Sequence, residues 1–158
     1  MPTIVLDIRI AAPIELCFDL ARDVETHLRT SGSTGELAVG EKTTGLLELG
    51  DEITWEAVHF GVRQRLTSRI VELDRPRRFV DEMVRGAFAS FRHVHEFADE
   101  RGSVRVRETF TWRSPLGLLG VLADKVAVER HMRSFLGEKQ SGLKAIAERA
   151  ARDRVEAP

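Results

Sequence analysis

The first segment alternates. In Thr3–Ile10 (TIVLDIRI), Ile4, Leu6, Ile8 and Ile10 fall in one phase, which predicts a strand with one face on a core. Ala12-Pro13 ends it, and Pro13 suits the first position of a helix. Ile14, Cys17, Phe18 and Ala21 then recur at i, i+3, i+4 and i+7, so a short helix packs one side inward, with Cys17 as a small buried hydrophobe. A second short helix is expected from Asp23 to Arg29, followed by a loop from Ser31 to Gly35. From Glu36 to Arg113 the chain reads as strands and turns without an internal repeat. Ser114-Pro115 reads as an N-cap and first-turn proline opening a long helix to about Arg152. Its apolar positions include Leu122, Val126, Met132, Leu136, Leu143 and Ile146. Gly137 and Gly142 inside it each cost about 1 kcal/mol relative to Ala. They mark a bend, close packing on the sheet, or simple tolerance. The polar tail, about 153–158, is expected to fray.

This order predicts an α+β fold. Strands that follow one another pair most readily as antiparallel hairpins, and a long amphipathic helix needs their curved sheet to lie on.

Charge pairing tests the register. A two-residue turn at Phe60-Gly61 sets Glu56 against Arg65, Thr54 against Thr67 and Glu52 against Arg69 on one face. The other face pairs Trp55 with Leu66 and Ile53 with Ser68. A one-residue slip destroys both patterns. In the last hairpin, a four-residue loop at Asp99–Gly102 pairs Phe97 with Val104, His95 with Val106, His93 with Glu108, Phe91 with Phe110 and Glu96 with Arg105. Trp112 continues the apolar row. The middle hairpin is open to two readings. A two-residue turn at Gly86-Ala87 puts Asp81 outside with Arg92, whereas a three-residue loop turns it inward beside His93.

Composition narrows the function classes. The 158 residues suit a single domain, 1–158, with 42% hydrophobic and 31% charged residues in a globular balance. Lys+Arg 24 against Asp+Glu 25 gives no basic excess, so no nucleic-acid partner is expected. Cys17 is the only cysteine, which excludes an intramolecular disulfide and multi-cysteine zinc sites. The longest apolar stretch, Leu116 to Ala123, is far short of the ~20 residues that span a bilayer. The N-terminal segment lacks a signal-peptide pattern, so the expected location is cytoplasmic.

The candidate chemistry lies on the apolar face of the last hairpin. His93 and Glu108, set directly opposite, would satisfy each other there, with His95 adjacent. The two histidines at i, i+2 with Glu108, and His59 in phase with Trp55, form a weak metal pattern, and no metal or cofactor is expected. As an acid–base pair, His93 and Glu108 would serve proton abstraction beside a carbonyl or return of a proton to a leaving hydroxyl, with Asp81 a further candidate. As a structural pair they would only hold the register. His27 and His131 are expected to face water. The segment from Gly35 to Gly50 reads as a lip over a cavity mouth or as a poorly formed hairpin. No phosphate-cradling glycine motif occurs.

The opening IRIAAPIELCFDLARDVETHL, the stretch FVDEMVRGAFASFRHVHEF and the following ETFTWRSPLG resemble the SRPBCC superfamily, which includes START domains and polyketide cyclase/dehydrase-like proteins. The resemblance implies a helix-grip fold, a seven-stranded antiparallel sheet curved around the C-terminal helix with two short helices after strand 1. It also implies a cavity between sheet and helix. The face assignment lines that cavity with Trp55, Leu66, Phe91, His93, His95, Glu108, Phe110 and Trp112, together with Met132 and Leu136 from the helix. Phe91 and Glu108 stand where relatives tend to have Trp and Asp, so a ligand does not transfer from them. The expected partner is a small hydrophobic or amphipathic molecule. The alternatives are a cofactor-independent cyclase or dehydratase, and a protein-interaction module using the outer charge ladder, its partner unspecified.

Overall fold

The structure is a computed structural model that describes residues 1–32, 34–114 and 127–156. Strand β1 (Thr3–Ile10) leads into α1 (Ile14–Ala21) and α2 (Val24–Thr30). Strands β2 (Leu37–Val39), β3 (Glu52–His59), β4 (Val62–Asp74), β5 (Arg78–Arg85), β6 (Ser90–Glu100) and β7 (Ser103–Arg113) follow, and α3 (Glu129–Glu156) closes the chain. The seven strands form one antiparallel sheet in the order β1-β7-β6-β5-β4-β3-β2. The expected N-cap at Ser114-Pro115, the first apolar positions Leu122 and Val126, and the end of the tail lie wholly or partly outside the described residues. Helix α3 continues through Arg152 to Glu156, so most of the polar tail is helical and exposed.

Asp23 caps α2, its carboxylate accepting the Thr26 N–H at 2.8 Å. Ile4 and Ile10 of β1 and Ile14, Cys17 and Phe18 of α1 are buried, as their spacing predicts. Phe18 meets Phe79 and Phe97 edge-on, with centroids 5.5 and 5.3 Å apart, and Val104, Val106, Leu143 and Ala147 complete this part of the core. A second cluster joins Ile4, Phe91, Phe110 and Trp112 to Phe135 and Leu136 of α3.

The β3–β4 hairpin has the expected register throughout, Glu56 opposite Arg65 and Trp55 opposite Leu66. Its outer face is a satisfied charge ladder, with Arg63 and Arg65 both donating to Glu56 at 2.7 Å. The β6–β7 hairpin corrects the expected register by two residues. His93 faces Phe110, His95 faces Glu108, Phe91 faces Trp112, Phe97 faces Val106 and Glu96 faces Arg107. The turn is the two-residue Arg101-Gly102, with φ of 44° and 91°. Two positive φ values give a turn whose twist matches the strands, which favours the tighter loop over the four-residue one. A shift of two keeps every side chain on its face.

In the middle hairpin the inward alternative holds, with Asp81 opposite His93 and both equidistant from Ala87. Register shifts between β4 and β5 at Thr67/Ser68 and Ile70/Glu72 are bulges. After the second, Leu73 as well as Ile70 packs on the core. The segment between Gly35 and Gly50 is tied down beyond β2. Leu47 is buried, its N–H donates to Arg22 O at 2.9 Å, and Val24 N–H donates to Gly45 O at 3.0 Å.

Candidate functional site

A cavity of about 360 Å³ lies between the sheet and α3. Trp55 of β3, Leu66 of β4, Phe91 and His93 of β6, Phe110 of β7 and Met132 and Leu136 of α3 line it. A smaller adjoining pocket of about 90 Å³ shares Trp55, Asp81, His93 and Leu136 and adds His95 and Glu108. Trp112 corrects the expected lining. It is fully buried, but it stands behind the wall among Phe88, Phe91 and Phe110 and reaches neither space.

The polar end gathers where three neighbouring strands present inward side chains. His93 Nε2 is 3.1 Å from Glu108 Oε2. Asp81 Oδ1 is 3.4 Å from His95 Nε2 and 3.9 Å from His93 Nδ1. All four side chains are largely buried. The His95 ring stacks on Phe79, centroids 4.1 Å apart, which fixes its orientation. Burial raises the affinity of Glu108 for its proton, yet the hydrogen bond with His93 and the charges of His95, His93 and Lys139 outweigh it and hold the carboxyl below its ordinary range. Asp81 follows the same pattern, burial being outweighed by the His95 hydrogen bond and the neighbouring His93. Burial, then His93, lowers the pKa of His95.

A second polar cluster joins the helices to this end. Lys139 Nζ donates to Ser31 Oγ at 2.7 Å, to Glu36 Oε2 at 3.1 Å and to His27 Nε2. Ser31 also donates to Glu36 at 2.6 Å, and His27 Nε2 lies 2.9 Å from the same carboxylate. His27 stacks flat on Trp55, centroids 3.7 Å apart. Burial, then the Lys139 ammonium, pushes its pKa down to about 4. Burial raises Glu36, but His27, Lys139 and Ser31 hold it far below the ordinary value. Lys139 is lowered by burial against the pull of Glu36.

His27 and His131 thus correct the expectation that both face water. His27 lines both spaces, and His131 Nε2 lies 2.9 Å from His59 Nδ1 in the wall of the larger cavity. His59 is therefore engaged with His131 and takes no part in the Asp81–His93–His95 group. Lys139 carried a signal in the sequence, because Met132, Leu136, Lys139 and Leu143 recur at i, i+4, i+7 and i+11 on one helical stripe. A lysine on the inward stripe of a helix needs a buried partner. His27, at i+3 from Val24, carried the same signal.

A curved seven-stranded antiparallel sheet gripping a C-terminal helix over a partly polar cavity defines a protein of the START-like, helix-grip class. The chain belongs to the family described as polyketide cyclase / dehydrase and lipid transport, which matches residues 10–133. Its fold is similar to that of TTHA0849 from Thermus thermophilus, with a TM-score of 0.76 and 23% identity over 95% of this chain and 99% of that one. A START superfamily protein from Mycobacterium smegmatis is similar at a TM-score of 0.68 and 12% identity, covering 94% of this chain and 98% of the other. The ginseng (Panax ginseng) major latex-like protein 151 is similar at 0.65 and 13%, covering 92% and 97%. No curated protein matches. Among the described residues, no helix is long and apolar enough to cross a membrane.

Proposed function

We propose that the chain binds a small amphipathic molecule between the sheet and α3. Its apolar body would lie against Phe88, Phe91, Phe110, Met132 and Phe135, and its polar group would meet the end formed by Asp81, His93 and Lys139. The observation that carries this reading is a cavity with an aromatic wall where Asp81, His93 and Lys139 converge at the junction with the smaller pocket. Small-molecule sites commonly occupy about 300–1,000 Å³ and combine apolar walls with a few convergent polar groups. The family's description, which includes lipid transport, supports an apolar or amphipathic ligand. His95 and Glu108 would act from behind His93, and Trp55 and Leu66 would close the side walls. Native mass spectrometry of the freshly purified chain should find a bound mass that anilinonaphthalene sulfonate displaces while Trp55 fluorescence changes. No bound mass, together with no displaceable probe signal, would overturn the reading.

A second reading, a cyclase or dehydratase, is favoured by the 3.1 Å contact of His93 with Glu108 at the cavity wall. A histidine oriented by a carboxylate suits proton transfer to or from a bound carbonyl compound. Turnover of a poly-β-keto thioester, lost in His93→Gln with the fold intact, would support that role. Equal turnover in the variant would remove it.

A further inference from the structure

The polar end is rich in carboxylates. Among the described residues, three buried carboxylates, Glu36, Asp81 and Glu108, share this interior with one ammonium, Lys139, which hydrogen-bonds Glu36. Arg22 and Arg65 also line the two spaces, but they pair with Asp19 and Glu48, and with Glu56. The nearest partners of Asp81 and Glu108 are the imidazoles of His93 and His95, and buried carboxylates need partners that satisfy them.

The donor geometry supplies a place for one. One donor atom each from Asp81, His93 and His95 lies within 4.8 Å of the other two. Asp81 Oδ1 is 3.4 Å from His95 Nε2 and 3.9 Å from His93 Nδ1. Ligand atoms held about 2.0–2.1 Å from a tetrahedral Zn²⁺ stand about 3.3 Å apart, so Asp81 already lies near that spacing from both imidazoles. The outer shell is also in place. With Nδ1 turned to Asp81, His93 offers its other nitrogen to Glu108 at 3.1 Å. A metal-ligating histidine ordinarily donates its second ring N–H to a carboxylate in this way, which sets the tautomer and raises ligand basicity. Phe79 stacks on the ring of His95, centroids 4.1 Å apart.

We propose that Asp81, His93 and His95 form a site for a divalent transition metal of the Zn²⁺ type, with Glu108 as the carboxylate behind His93. Asp81 and His93 both line the larger cavity, so the remaining coordination position opens toward it. Three protein ligands and one open position are the arrangement of zinc sites that bind water or a small molecule, whereas closed structural sites use four. The divalent charge offsets Asp81 and Glu108 together. An oxygen donor on an amphipathic molecule, such as a carboxylate, an enolate or a β-keto group, is the ligand chemistry such a position takes. Metal uptake itself does not depend on the amphipathic-ligand reading, because it is measured with no organic molecule present.

The full chain, stripped with a chelator and dialysed, is titrated with Co²⁺ and then with Zn²⁺ against a chromophoric chelator. One Co²⁺ per chain should give the intense visible bands of a four-coordinate site, and Zn²⁺ should bleach them. Glu108→Gln should weaken Zn²⁺ about 10–100-fold while leaving one site per chain. His95→Gln should abolish the bands, whereas His27→Gln, in the same cavity wall but outside the ligand set, should keep them. Circular dichroism of each metal-free variant separates loss of the site from loss of the fold. Absence of the bands in the wild-type chain overturns the proposal without recourse to any variant. So does metal binding that His95→Gln leaves unchanged, or that His27→Gln removes from a folded protein.

Discussion

Glu108 reaches His93 along a diagonal of the sheet. Its Cα stands opposite His95, yet its Oε2 lies 3.1 Å from His93 Nε2. Diagonal positions across an antiparallel pair are about 7–8 Å apart at Cα, within reach of a glutamate meeting an imidazole. The direct partner of His93 on the other side is Asp81. His93 is thus flanked by two carboxylates from two strands, one at each ring nitrogen.

This arrangement predicts a selective effect of Glu108→Gln. The amide keeps the volume and one hydrogen bond but removes the charge behind His93. Hydrogen bonds to charged groups contribute about 1.5–3 kcal/mol, so an amphipathic molecule bearing a polar head should bind about 10–100-fold more weakly. A purely apolar probe held by Phe91 and Phe110 should bind as before. Isothermal titration of both kinds of probe makes the comparison, and equal losses for both would remove Glu108 from polar recognition.

The two histidine–carboxylate contacts show what is legible in the sequence. Alternation places His93, His95 and Glu108 on the inner face, and that survives a register error because side-chain direction repeats every two residues. The partner assignment does not survive, since it depends on a turn at Arg101-Gly102 in which a non-glycine residue takes positive φ. Asp81 stays open between two faces without the β5–β6 register. Lys139 and His27 escape for another reason. Polar residues on helices ordinarily face water, whereas the stripe positions of these two point inward. Glu36 has no signal of its own, because its burial depends on α2 and α3 converging on the start of β2.

The Lys139–Glu36 pair is predicted to be tightly coupled. Breaking a buried ion pair by removing one partner typically costs about 3–5 kcal/mol, because the other charge is left unpaired. Lys139→Met should therefore destabilise the chain by about 3 kcal/mol, the lower end, since Ser31 and His27 still contact Glu36. Glu36→Gln alone should also destabilise, and the double variant should recover part of the loss. Urea unfolding of the four proteins yields the coupling energy. Strictly additive losses would show that the two charges are independently solvated.

A pH dependence follows from His27. Its pKa falls from 6.5 to about 4 on folding, so between these values the unfolded chain binds more protons than the folded one. Stability is full above about pH 6.5 and is lost as pH falls toward about 4, by at most about 3 kcal/mol at 1.36 kcal/mol per unit. Glu36, held below its ordinary value in the fold, adds a loss in the same direction as pH falls below 4.5. Urea midpoints measured across this range should decline with acid, and His27→Gln should flatten the slope above about pH 4.5. Because the His27 ring lies on Trp55, the tryptophan emission should titrate over the same range. An unchanged slope in His27→Gln would assign the acid sensitivity elsewhere.

The two helix glycines should respond in opposite directions to alanine. A Cβ at Gly137 meets nothing within 4 Å, so Gly137→Ala gains only helix propensity, about 1 kcal/mol. A Cβ at Gly142 falls 2.8 Å from Thr30 Cγ2 and 3.1 Å from its Cβ, because α3 passes close to the end of α2 there. Overpacking typically costs about 1–3 kcal/mol. Gly142→Ala should therefore destabilise by about 1 kcal/mol after the propensity gain is subtracted. Thr30→Ser, which removes Cγ2 and keeps the hydroxyl bonded to His27 O, should relieve that cost in the double variant. Thermal unfolding of the set decides it. A Gly142→Ala chain as stable as Gly137→Ala would mean that α2 yields to α3 at no cost, and the close approach would then not account for the glycine.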